Sequence, residues 1–73
     1  MIENLTVRER EILKYCSWPT EKIAEKMKIK KTTISKHFQN IFEKTKTQTR
    51  AELLVFALKN ELLTISEVIK NEL

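Results

Sequence analysis

The chain has 73 residues, with 14 basic and 10 acidic side chains, no glycine, one proline and one cysteine. That length holds a single core that buries only ~60% of the unfolded chain's surface, so stability must come from tight packing or a partner. One cysteine excludes an internal disulfide, Cys16 and His37 fall short of a structural zinc's ligand set, and the lack of glycine removes the usual hairpin turns, so an all-α fold is expected.

A first helix is expected over roughly 7–16, opened by Thr6-Val7-Arg8-Glu9. In that capping-box pattern the threonine oxygen takes the amide of the third helical residue and the glutamate reaches back to the cap amide. Ile12, Leu13 and Cys16 then share one stripe, where a free cysteine reads as a small hydrophobe with nothing basic fixed beside it. Glu9 is used by its cap and Glu11 lies on a different face, so they do not form a catalytic pair. A second helix is expected over roughly 20–27, with Pro19 suited to its first turn and Ile23, Ala24 and Met27 on its apolar stripe. Trp18, beside Pro19, reads as a cover for the core rather than a platform for a base.

The third helix, roughly 32–45, places Ile34, Phe38, Ile41 and Phe42 on its inner face. Thr32, Thr33, Ser35, Lys36, Gln39 and Glu43 are left outside, and these are residue types that can read base edges in a groove. The fourth helix, roughly 50–59, opens with Thr49-Arg50-Ala51-Glu52 and is apolar all round from Leu53 to Leu58. One face against one core cannot bury such a helix. Two covers are open: the first helix on one side with a partner subunit on the other, or a fifth helix folding back. The fifth is expected over roughly 65–72, opened by Thr64-Ile65-Ser66-Glu67 and carrying Ile65, Val68, Ile69 and Leu73.

Charge is spread unevenly along these elements. Residues 1–21 carry net −1, residues 22–50 net +7 and residues 51–73 net −2. The middle block is either a footprint for a polyanion or a merely solvated lysine face. The longest apolar run, Leu53 to Leu58, is far short of the ~20 residues of a membrane span, and with an unpaired cysteine and no leader segment a cytoplasmic protein is expected. There is no glycine-rich phosphate loop, no second histidine and no Ser/His/Asp set, so no catalytic residue, metal or cofactor is expected and a binding module is.

The order Leu5-Thr6, Arg8-Glu9-Arg10-Glu11-Ile12-Leu13, Ile23-Ala24, Thr33-Ile34, His37, Asn40-Ile41, Lys44 and Arg50-Ala51-Glu52-Leu53 resembles the LuxR/GerE-type helix-turn-helix domain, from Leu5 to about Leu58. The resemblance implies a four-helix domain with core 5–58 and a C-terminal extension 59–73 that holds a short extra helix. It implies that the third helix enters the major groove of double-stranded DNA and that the fourth pairs with its mate in a homodimer, through Ala51, Leu54, Val55 and Leu58. Ser35, Lys36 and Gln39 match positions that read bases. Lys22, Lys30, Lys31, Thr32, Thr33, Asn40, Lys44 and Thr49 match positions suited to phosphates, which position rather than specify. His37 falls where the family also carries histidine, as packing or a phosphate-side hydrogen bond.

The chain departs from the family at its corners. The loop Cys16–Thr20 is shorter and lacks a glycine, and Lys28-Ile29-Lys30 replaces a glycine, an apolar residue and a capping serine. Lys28 in a left-handed conformation would cost roughly 1 kcal/mol relative to glycine. Thr32 is expected to take over the cap, while Lys46 stands for a glycine and Thr45 for a leucine. The function so implied is a sequence-specific, double-stranded-DNA-binding transcriptional regulator, either stand-alone or the output domain beside a receiver or sensor domain. The alternative is an adaptor or anti-activator that sequesters a related regulator through the fourth and fifth helices, and region 4 of a sigma factor is a third reading of the same helical order.

Overall fold

In a computed structural model, residues 4–67 are described, and they form α1 (Val7–Leu13), α2 (Thr20–Met27), α3 (Lys31–Thr45) and α4 (Arg50–Lys59). A further helical turn opens at Ile65. α1 and α4 begin where their threonine caps predict. At α1 the reciprocal box is complete, with the Glu9 amide donating to Thr6 Oγ1 at 3.1 Å and the Thr6 amide to Glu9 Oε1 at 2.9 Å. Thr64 and Glu67 repeat it. At α4, Thr49 Oγ1 accepts the Glu52 amide, but Glu52 takes the amide of Gln48 instead of the cap amide.

Three boundaries differ from the sequence reading. The first helix ends at Leu13 rather than near 16, because the following residues tighten into turns: the Tyr15 amide donates to the Ile12 carbonyl and the Cys16 amide to the Leu13 carbonyl. Pro19 lies a few residues on and disfavours a helical residue before it. Cys16 stays on the buried stripe, at 2% exposure. Pro19 itself is the N-cap of α2 and not a first-turn residue; its carbonyl accepts from the amides of Lys22 and Ile23. Finally, Thr32 does not cap α3. The helix starts at Lys31 with Lys30 extended before it, and no side chain caps that end.

The corners after α2, α3 and α4 are turned by residues with positive φ, namely Lys28, Lys46 and Glu61, all at φ 59°. In each case the next amide reaches back five residues to a carbonyl: Ile29 to Ala24, Thr47 to Phe42 and Leu62 to Ala57. These are Schellman corners, which usually hold glycine in the left-handed position. The resemblance anticipated this for Lys28 and set Lys46 where the family carries glycine, whereas Glu61 carries no pattern that marks it. Thr45, where a leucine was expected, is buried and keeps its hydroxyl satisfied, donating to the Ile41 carbonyl and pairing with Thr47.

The core gathers Leu5, Ile12, Leu13 and Cys16 with Ile23, Ala24, Ile34, Phe38, Ile41, Leu53, Ala57 and Leu63. α3 is the hub, in contact with α1, α2 and α4, and α4 packs more on α3 than on α1, the cover the sequence suggested. Only Leu53 and Ala57 of α4 are fully buried; Leu54, Phe56 and Leu58 are half-buried and Val55 is 50% exposed. Leu63, ahead of the expected fifth helix, enters the core, while Ile65 of that helix is exposed. Val68, Ile69 and Leu73 lie outside the described residues.

Candidate nucleic-acid interface

The inner face of α3 buries Ile34, Phe38 and Ile41 and half-buries Phe42, which leaves its outer face polar. Ser35, Lys36 and Gln39 are all exposed there, with Thr32, Thr33, Asn40 and Glu43 around them. The amino-terminal end of α3 is distinctive: it has no side-chain cap and no acidic residue in its first turn, and Lys28, Lys30 and Lys31 surround it, all exposed. Unpaired first-turn amides, the positive end of the helix dipole and clustered ammonium groups together favour an anion at that end.

Beside this face the amino-terminal ends of α2 and α4 converge on α3. Thr20, Ser35, Gln39, Gln48, Thr49 and Arg50 line an open cleft whose floor is Phe38 and Phe42. A base-reading candidate and a phosphate candidate, Gln39 and Thr49, therefore share one concave surface although ten positions separate them in the sequence.

Arg50 shapes that cleft. Its guanidinium lies 4.0 Å over the Phe38 ring, donates to the carbonyls of Cys16 (3.1 Å) and Trp18, and donates to Thr20 Oγ1 at 2.6 Å. The sequence marked Arg50 only as part of the α4 opening; contacts 30 or more residues away leave no periodic trace. They also overturn the expectation that nothing basic is fixed beside Cys16. Burial nevertheless dominates and pushes the Cys16 thiol up to about 11, against the pull of Arg50, which keeps it an unreactive core group at neutral pH.

Two lysines assigned to phosphates are already engaged. Lys44 Nζ lies 2.8 Å from Glu9 Oε1, tying α3 to α1, and the carboxylate is only 5% exposed against 33% for the lysine side chain. Burial alone would raise Glu9, but the hydrogen bonds from Lys44 and from Thr6 outweigh it and hold the carboxyl below its usual range. Lys44 is thus a strut in the free protein rather than an open cation. Lys22 has its ammonium 4.9 Å from the centre of the Trp18 ring, and Trp18 packs on Tyr15 with ring centres 4.8 Å apart. Trp18 is half-buried against the core, as expected of a cover. Its Nε1 is buried without a hydrogen-bond partner among the described residues. His37 is half-buried on α3, and no three histidine, cysteine or acidic side chains among the described residues converge where a metal could bind.

On α4, Ala51, Leu54, Val55 and Leu58 follow helical spacing and form one stripe, separate from buried Leu53 and Ala57. Ala51 and Val55 are exposed and the two leucines half-buried, so this stripe remains partly open to solvent. Among the described residues no helix is long and apolar enough to cross a membrane.

Residues 3–57 match the family described as bacterial regulatory proteins, luxR family. The chain is 32% identical over 65 residues to the uncharacterised transcriptional regulatory protein YxjL of Bacillus subtilis (strain 168), an alignment covering 86% of this chain and 30% of that protein. It is 36% identical over 63 residues to the probable transcriptional regulator ycf29 of Cyanophora paradoxa, covering 84% and 30% respectively. The chain therefore spans about 30% of the length of these curated relatives. No solved structure gives a significant match.

Proposed function

The chain belongs to the luxR family of bacterial regulatory proteins, and from that premise we propose that it binds double-stranded DNA in a sequence-specific manner and regulates transcription. The observation that carries this reading is the division of α3. One face is locked into the core, and the other offers hydroxyl, amide and ammonium groups beside an uncapped, lysine-flanked helix end. Ser35, Lys36 and Gln39 read base edges in the major groove. Lys22, Lys30, Lys31, Thr32, Thr33, Asn40 and Thr49 hold backbone phosphates along the rim. Lys44 joins that set only by leaving Glu9.

The α4 stripe of Ala51, Leu54, Val55 and Leu58 supports binding as a homodimer, with two copies of α3 in successive major grooves about one helical turn apart. The length of the relatives supports a further domain, such as a receiver or sensor, in the whole protein. The half-open α4 stripe also favours a second reading, a module that sequesters a related regulator through that surface.

Selection of duplexes from a random-sequence pool at near-physiological salt tests the first reading against the second. Enrichment of an inverted repeat is the expected result; a folded domain that enriches nothing would sink it and favour the protein-binding module. On the enriched site, Gln39→Ala should cost about 1–3 kcal/mol and relax one base position, while Lys31→Ala should weaken all sequences alike and lower the salt slope by about one.

A further inference from the structure

We propose that Arg50 is a positioning residue of this interface: one guanidinium ties the amino-terminal ends of α2 and α4 to α3 and thereby sets the angle at which α3 meets DNA. The inference rests on the DNA-binding reading above and adds to it a residue that touches neither base nor phosphate. Arg50 is the first residue of α4, yet its polar contacts are with the α1–α2 loop, through the carbonyls of Cys16 and Trp18, and with the first residue of α2, through Thr20 Oγ1. Its flat face rests on Phe38, one position before Gln39 on α3. Four consecutive segments of the chain thus meet on one rigid planar group.

The chemistry of the site suits a strut. Among the described residues no carboxylate neutralises Arg50; its partners are two backbone carbonyls and a hydroxyl. The loop it braces, Cys16–Pro19, contains no glycine, and two of its carbonyls are held by this one side chain. A lysine ammonium at the same position could reach one of these acceptors but could not spread across three while stacking on a ring, because it lacks the planar fork. Thr20 Oγ1 accepts from Arg50, so its own proton is directed elsewhere, and the orientation of the α2 end is fixed through that bond.

The test is Arg50→Lys, which keeps the charge and loses the fork, compared with wild type on the enriched duplex and on a random duplex, alongside amide hydrogen exchange of the free protein. A positioning role predicts affinity for the enriched site lower by about tenfold or more, affinity for the random duplex nearly unchanged, and an unchanged salt slope. It also predicts faster exchange at the first turn of α2, with the Ile41 amide still protected. Equal weakening on the enriched and the random duplex would make Arg50 a phosphate contact and overturn the proposal. Unchanged affinity per folded molecule would reduce Arg50 to a stabilising residue and overturn it equally. Should Arg50→Lys fail to fold, Thr20→Val removes a single acceptor and must shift the same readouts in the same direction by a smaller factor. If wild type enriches no sequence, the DNA reading falls first, and the exchange result alone decides whether Arg50 holds α2 to α4.

Discussion

α3 and α4 carry very different apolar content, four residues of fifteen against seven of ten, and resolve it in opposite ways. In α3 the apolar positions fall on one stripe, so Ile34, Phe38 and Ile41 are buried with Phe42 half-buried beside them, and everything outside is polar. In α4 the apolar residues run consecutively, so the core takes Leu53 and Ala57 and leaves Leu54, Val55 and Leu58 partly wet. A helix whose sides are cleanly divided can offer a polar ligand a rigid surface at no cost to the core. A helix with more apolar surface than its own core can use retains a reason to meet another protein.

The largest expected effect tests the closed side of this contrast. Ile41→Ala should lower the stability of the domain by about 2–5 kcal/mol in denaturant titration, because a fully buried side chain leaves a cavity. A loss below about 1 kcal/mol would show that α3 is not locked and could not hold a reading geometry.

Next comes the strut that joins α3 to α1. Glu9→Gln should cost about 1–2 kcal/mol at neutral pH, discounted for the partial exposure of Lys44. Glu9 titrates below the usual carboxylate range in the folded state, so its contribution is full above that range and is lost as pH falls through the lowered value. Stability curves of the wild type and the variant should therefore converge in acid. Parallel curves would remove the charge from the explanation.

The corner between the two helices sharpens the contrast in the opposite direction. Lys46→Gly relieves a left-handed residue and should stabilise by up to about 1 kcal/mol, with Lys28→Gly and Glu61→Gly behaving alike. The smallest effect lies on the open side. Val55→Ser should change the stability of the monomer by no more than about 0.5 kcal/mol, yet shift sedimentation of the DNA complex from two copies per site toward one. Unchanged stoichiometry would take the α4 stripe out of the dimer.

What could be read in advance was local. Thr6 with Glu9, Thr49 with Glu52 and Thr64 with Glu67 lie three residues apart and announce helix starts through near-neighbour chemistry. The spacing of Ile34, Phe38 and Ile41 announces the inner face of α3 by period alone. Lys28 and Lys46 stand where the family resemblance places glycine, which is how these corners could be located and a left-handed Lys28 foreseen. The clasp of Arg50 on Trp18 and Thr20 and the pairing of Lys44 with Glu9 span 30 to 35 residues and depend on how finished helices dock. The same docking decides that α4 rests on α3. Glu61 escaped because nothing in its side chain favours positive φ; the burial of Leu63 just beyond it sets the direction of the chain there.

Trp18 is the only tryptophan in the chain, and its indole lies beneath the ammonium of Lys22 while its own carbonyl is held by Arg50. The protein therefore contains an optical gauge at the junction of its first two helices. A cation close to an indole perturbs its excited state, so transfer of Lys22 from the ring to a phosphate is expected to change the emission of Trp18. The same light would follow duplex titration without a dye, and would register any loosening of the Arg50 clasp before the core begins to melt.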